Sequence, residues 1–115
     1  MSRAEQIIQQ YTQEQIWGKF DLLNGKLQVI LLDPRTVDTL EEIAQNNGVP
    51  NKSGKIVRYA TFILGGIIPI TLLRETLEQE LNISTESARK IATEIRDKIF
   101  MGVAEELRKI HGLNN

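Results

Sequence analysis

The sequence predicts an all-α protein, a compact orthogonal bundle of five to six helices with a long C-terminal helix. Three observations predict this class. Apolar residues recur at helical spacing, helix-capping residues stand before those stretches, and no segment outside residues 19–33 alternates like a strand. The chain has 115 residues, 41% of them hydrophobic, which is enough for one core without disulfides or metal. We therefore expect a single helical domain spanning residues 1–115.

Two elements precede the central helices. Residues 1–18 have the pattern of a helix whose narrow apolar side, with Ile7 and Tyr11, predicts a position on the periphery of the bundle. Residues 19–33 fit either a hairpin or a short helix, because Asn24-Gly25 is a turn signal between apolar runs and its asparagine is also a good helix cap. We favour the helix, since a lone hairpin is only marginally stable.

Residues 34–112 are predicted to contain the core helices. Asp33-Pro34 begins one helix, which Asn46-Asn47-Gly48 ends, and further helices are expected over residues 51–64 and 70–81. The last predicted helix of this region is also the longest. The side chains expected to form the core are Phe62, Ile63, Leu73, Leu77, Ile91, Ile95, Ile99 and Val103.

The longest predicted element is a C-terminal helix from Ser84 to Ile110. Ser84 is its predicted cap, and Val103 and Leu107 continue its apolar stripe toward the end. A helix of this length spans roughly 40 Å, close to the diameter expected for the whole domain. Its last turns are therefore expected either to cross the core or to project and pack on another protein, with Gly102 as a point of bending.

The chain lacks residues that enzymatic and metal-binding motifs require. It has no cysteine, and its one histidine, His111, lies at the end of the last predicted helix. Asn51–Lys55 resembles a phosphate-binding loop, but five residues rather than four separate Gly48 from Gly54, and Ile56 replaces the hydroxyl residue that holds magnesium. We therefore expect no enzymatic activity, no cofactor and no metal.

Charge and hydropathy argue against nucleic acid and membranes as partners. The net charge is -1, so the chain has no overall field that attracts polyanions. The uncharged run of residues 59–73 is too short for a membrane span and is broken by glycine and proline. No secretory signal is visible, so we expect a cytoplasmic location. A local basic stripe remains as a candidate anion contact, and it supports an alternative function as a nucleic-acid-binding accessory protein: Lys52, Lys55 and Arg58.

The interpretation that remains is a protein–protein interaction or self-assembly module without catalytic activity. Its partner is expected to be another protein or a second copy of itself in a homodimer, because the first helix has a thin apolar side and the last one is long for its own core. Trp17 is either a core anchor or an interface residue, and we rank the core role first. The candidate interface residues are Ile7, Tyr11, Trp17, Val103, Leu107 and Ile110.

One resemblance supports the helical interpretation. Asn82–Ala92, followed by Ile99-Phe100, Leu107 and Ile110–Gly112, resembles a small helical domain of unknown function that recurs in predicted proteins of candidate-phylum bacteria. The likeness covers roughly residues 36–112. It implies a helical fold in a bacterial protein, and it supplies no catalytic residue, cofactor or partner.

Overall fold

The computed structural model describes residues 2–111, and all regular structure in that range is helical. Gly112, where the predicted core region and the resemblance both end, lies outside the described residues. The all-α prediction is confirmed, although the described range contains eight α-helices rather than five to six, and their orthogonal arrangement stays a prediction. The helices are α1 Arg3–Gln9, α2 Gln13–Asp21, α3 Gly25–Leu32, α4 Pro34–Asn46, α5 Ser53–Leu64, α6 Leu73–Leu81, α7 Thr85–Lys98 and α8 Ala104–Ile110.

Local capping chemistry explains where several helices begin. The side chain of Asn24 accepts the amide of Leu27 at 3.0 Å, so residues 19–33 contain the favoured short helix and not the hairpin. Asp33 caps α4, with Pro34 as the first helical residue. Ser84 caps α7 in the same way, as the sequence predicts.

The prediction of one continuous C-terminal helix is wrong. The α-helix ends at Lys98, a 3-10 turn covers Phe100–Val103, and α8 follows as a separate helix. A straight helix over the predicted range would measure roughly 40 Å, whereas the longest dimension of the protein is 35 Å. Breaking the helix lets both Phe100 and Val103 enter the core, while Gly102 stays exposed at the break.

The predicted N-terminal helix is also two helices. Thr12 and Gln15 form a reciprocal capping box, in which each side chain accepts the other residue's backbone amide, at 3.1 and 2.8 Å. This motif begins α2 and separates it from α1. Residues 1–18 therefore contain all of α1 and only the first part of α2.

The core lies mainly among α4, α5, α6 and α7. Every residue predicted for the core is buried except Phe62, which is only half-buried. None of the helices within residues 2–111 combines the length and the apolar character needed to cross a membrane. The largest side chains that are almost wholly inaccessible are Leu27, Leu40, Ile43, Ile56, Tyr59, Ile63, Leu64, Ile68, Leu77, Leu81, Ile91 and Phe100.

The turn after α5 packs against both α2 and α8. Gly66 has a φ of 79°, and the amide of Ile67 bonds to the carbonyl of Phe62 at 2.9 Å, which closes the end of α5. A side chain at Gly65 would collide with the ring of Phe20, and one at Gly66 would lie 2.7 Å from the side chain of Ile110. Two adjacent glycines thus let α2 and α8 pack against the same corner.

Candidate protein-interaction surface

An apolar groove of about 460 Å³ lies between α1, α2 and α5. The aromatic rings of Trp17, Phe20 and Phe62 lie one after another along it. Trp17 meets Phe20 edge to face, with ring centroids 6.0 Å apart at 85°, and Phe20 lies 6.4 Å from Phe62. We call this surface the aromatic groove, and its lining residues are Ile8, Gln13, Ile16, Trp17, Phe20, Arg58, Thr61 and Phe62.

The helix that carries two of these rings is only loosely attached to the core. No residue of α2 is fully buried; Ile16 and Phe20, four residues apart on one face, make its contacts with the core. Trp17 lies beside Phe20 in the lining of the groove and is 60% exposed. The structure therefore corrects the ranking that placed Trp17 in the core, and it leaves this side chain as a surface residue beside the groove.

Arg58 forms the polar wall of the aromatic groove. Its guanidinium donates to both carboxylate oxygens of Glu5, at 2.9 and 3.3 Å, and lies 5.1 Å above the ring of Phe62. The hydroxyl of Tyr59 donates to the same carboxylate at 2.6 Å. The hydrogen bond from Arg58 lowers the pKa of Glu5, and burial, together with the bond to Glu5, raises the pKa of Tyr59. The charge of Arg58 is thus matched within the chain.

The other candidate interface residues lie closer to the core than predicted. Val103 and Leu107 are only 2% and 3% exposed, so the last turns neither project nor offer these side chains to a partner, and naming them as interface residues was wrong. Ile110 is half-buried against Gly66. Ile7 and Tyr11 are half-buried against the core and keep part of their surface.

The predicted basic stripe has partners inside the chain. Lys52 donates to the carbonyl of Leu81 at 2.5 Å, and Lys55 donates to the carbonyl of Glu80 at 3.0 Å. Lysine at the end of a helix satisfies its last carbonyls and complements its dipole. Two of the three cations therefore cap α6, and the third, Arg58, pairs with Glu5. This arrangement gives the stripe a structural role.

The single histidine also has a structural position. Nε2 of His111 lies 2.9 Å from the carbonyl oxygen of Ile63, which links the end of α8 to α5. Burial lowers the pKa of this imidazole. Among residues 2–111, no three histidine, aspartate or glutamate side chains are grouped closely enough to hold a metal ion.

Sequence reasoning missed the outward face of α3. Leu27 of this helix is buried, but Val29 and Leu32 are 65% and 78% exposed, and Leu22 just before it is also exposed. The signal was present in the segment Gly25–Leu32, which has apolar residues on every side instead of on one. Sequence reasoning also did not connect Phe20, Phe62 and Arg58 with Trp17, because they become neighbours only in the folded chain.

No family model, no curated protein and no solved structure matches this chain.

Proposed function

We propose that this chain is a protein-interaction module without catalytic activity and that it self-associates, each copy placing Trp17 in the aromatic groove of the other. One observation carries this proposal: a largely exposed tryptophan stands at the edge of a mainly apolar groove that two further aromatic rings, Phe20 and Phe62, also line. The same patch thus supplies both a protruding group and a recess. A two-fold contact requires such a self-complementary patch.

The energetics favour burial of this tryptophan. Tryptophan and arginine are enriched among the residues that dominate binding energy at interfaces, and Trp17 and Arg58 both line the groove. Burying the exposed part of an indole contributes about 2 kcal/mol. In a two-fold dimer this contribution occurs twice, which offsets part of the entropy lost on association.

Two further features permit close approach of a second copy. Glu5 neutralises Arg58, and the net charge of -1 produces little repulsion between copies. Gly18 lies inside α2 next to Trp17, and apart from its chain neighbours and the backbone of its own helix no described atom lies within 4 Å of the position that its side chain would occupy. Glycine inside a helix costs about 1 kcal/mol relative to alanine, and packing within this chain does not require it here. A helix of the second copy has space to approach at this residue.

Sedimentation velocity over a range of protein concentrations tests the proposal. We expect the wild-type chain to pass from monomer to dimer as concentration rises, and Trp17→Glu to stay monomeric. Met101→Glu is the matched control, because Met101 is 61% exposed and lies outside the aromatic groove. This control should dimerise like the wild type. A wild-type chain that stays monomeric at every concentration overturns the proposal, and so does a Trp17→Glu variant that dimerises normally.

A further inference from the structure

A second groove lies between the beginning of α6, α7 and α8. It has two adjoining parts, of about 240 and 180 Å³, which share Ile70, Arg96 and Phe100. Ile70 and Phe100 contribute apolar surface to both parts, and Phe100 is almost fully buried. We call this surface the arginine groove, because of the side chains along its edges.

Four arginines line the arginine groove, and no carboxylate from residues 2–111 does. Arg89 and Arg96 are seven residues apart on α7, so they stand about two turns apart on one face. Arg74 lies at the start of α6, and Arg108 lies on α8. Positive charge is therefore concentrated on one groove of a chain whose net charge is -1.

The ion pairs that these arginines make within residues 2–111 are few and exposed. Arg74 pairs with Glu78 at 2.8 Å, and Arg96 pairs with its neighbour Asp97 at 3.2 Å. Both pairs are partly or largely in solvent, where an ion pair is weak and exchanges readily. Arg89 and Arg108 form no ion pair with any described residue. The guanidinium groups therefore have capacity for an external carboxylate.

We propose that the arginine groove binds an acidic amphipathic helix of a partner protein. The apolar side chains of that helix would cover Ile70 and the neighbouring floor, and its carboxylates would meet the arginines, whose planar groups bind carboxylates through two parallel hydrogen bonds. Carboxylates spaced about two turns apart would match Arg89 and Arg96. This site is separate from the aromatic groove, with which it shares no lining residue.

The groove suits a helix better than a nucleic acid. Proteins that bind single strands stack bases on exposed aromatic rings. The one aromatic residue here, Phe100, is 1% exposed and has no free face for a base. The other uncharged lining residues are five aliphatic side chains, Met101 and two threonines, which fits leucine-like side chains better than bases.

A designed peptide pair tests the proposal by fluorescence anisotropy with the full chain. The first peptide has about 18 residues of leucine, alanine and glutamate, with the leucines at helical spacing, and is long enough to form a helix. The second replaces each glutamate with lysine. We expect the glutamate peptide to bind about tenfold more tightly than the lysine peptide, and added salt to weaken its binding.

Variants of α7 locate the contact. The double variant Arg89→Glu/Arg96→Glu should bind the glutamate peptide about tenfold more weakly than the wild type, or weaker still. Lys90→Glu/Lys98→Glu is the matched control, since it makes the same change of charge on the same helix outside the groove, and it should change affinity by no more than about twofold. All four positions are exposed, so circular dichroism should show unchanged helix content.

Three results overturn the proposal: no binding of the glutamate peptide, equal binding of both peptides, or equal loss of affinity in the two double variants. Displacement of the peptide by a thymidine oligonucleotide that binds more tightly also overturns it and assigns the groove to nucleic acid. Trp17→Glu should bind the glutamate peptide like the wild type. The peptide test therefore remains valid even if the chain does not self-associate.

Discussion

The first three helices and the next four are held in the fold by different means. In α4 to α7 the inward side chains, such as Ile43, Ile63 and Leu77, are completely buried. In α1 to α3 few side chains reach the core, and most of the large exposed hydrophobic side chains lie between residues 17 and 32. The difference indicates that α4 to α7 form the stable framework, while the N-terminal helices supply surface.

Polar contacts compensate for the thin apolar side of α1. Arg3 makes two hydrogen bonds to Glu75, at 2.8 and 2.9 Å, and the amide of Ser2 donates to Glu80 at 3.3 Å. Glu5 reaches Arg58 and Tyr59 as described above. These bonds hold α1 to α5 and α6. Their strength depends on ionised carboxylates, and that of the apolar core does not.

The largest expected difference between the two regions is in the free energy of unfolding. Ile63→Ala should cost about 3 kcal/mol, because it leaves a cavity at a fully buried position. Ile16→Ala on α2 should cost only about 1 kcal/mol, since this side chain is half-buried and solvent can fill its place. Urea unfolding followed by circular dichroism measures both. Equal costs would show that α2 belongs to the framework.

Glu5→Gln should lower the free energy of unfolding by about 2 kcal/mol at neutral pH, because it removes a charged partner of Arg58 and Tyr59. The pKa of Glu5 is lowered in the folded chain, so its contribution is present above the ordinary value of 4.5 and is lost as the pH falls through the folded value. The difference in stability between wild type and variant should therefore shrink in acid.

Urea unfolding at a series of pH values measures this effect. Glu86→Gln is the control, because Glu86 is exposed and makes no side-chain hydrogen bond or ion pair with the described residues. It should stay close to the wild type throughout. A difference for Glu5→Gln that remains constant down to strongly acidic pH contradicts the explanation.

The smallest effect is expected at the corner where α2 packs on α5. Gly65→Ala should cost about 1 kcal/mol, because the added methyl group displaces the ring of Phe20 without disturbing the core. Trp17 touches that ring and is the only tryptophan, so its fluorescence should change. In the background of Phe20→Ala, the same substitution should cost almost nothing. If the costs of Gly65→Ala and Phe20→Ala are additive, the methyl group added at residue 65 does not act through the ring of Phe20.

Much of the fold could be predicted from the sequence because helix formation depends on local chemistry. Asn24, Asp33 and Ser84 cap helices wherever the chain folds, since each side chain bonds to an amide two or three residues away. The apolar spacing of α4 to α7 likewise predicted the inward faces. The candidate site was predicted only in part, through Trp17 and Arg58 as separate residues with separate roles.

The sequence by itself determined that the chain is helical, which residues cap α3, α4 and α7, and which side chains form most of its core. Tertiary structure decided that the last helix breaks after Lys98, and the 3-10 turn that follows places both Phe100 and Val103 in the core. It also decided that Trp17, Phe62 and Arg58 line one groove. Such contacts depend on the packing of distant segments, and no local pattern encodes them.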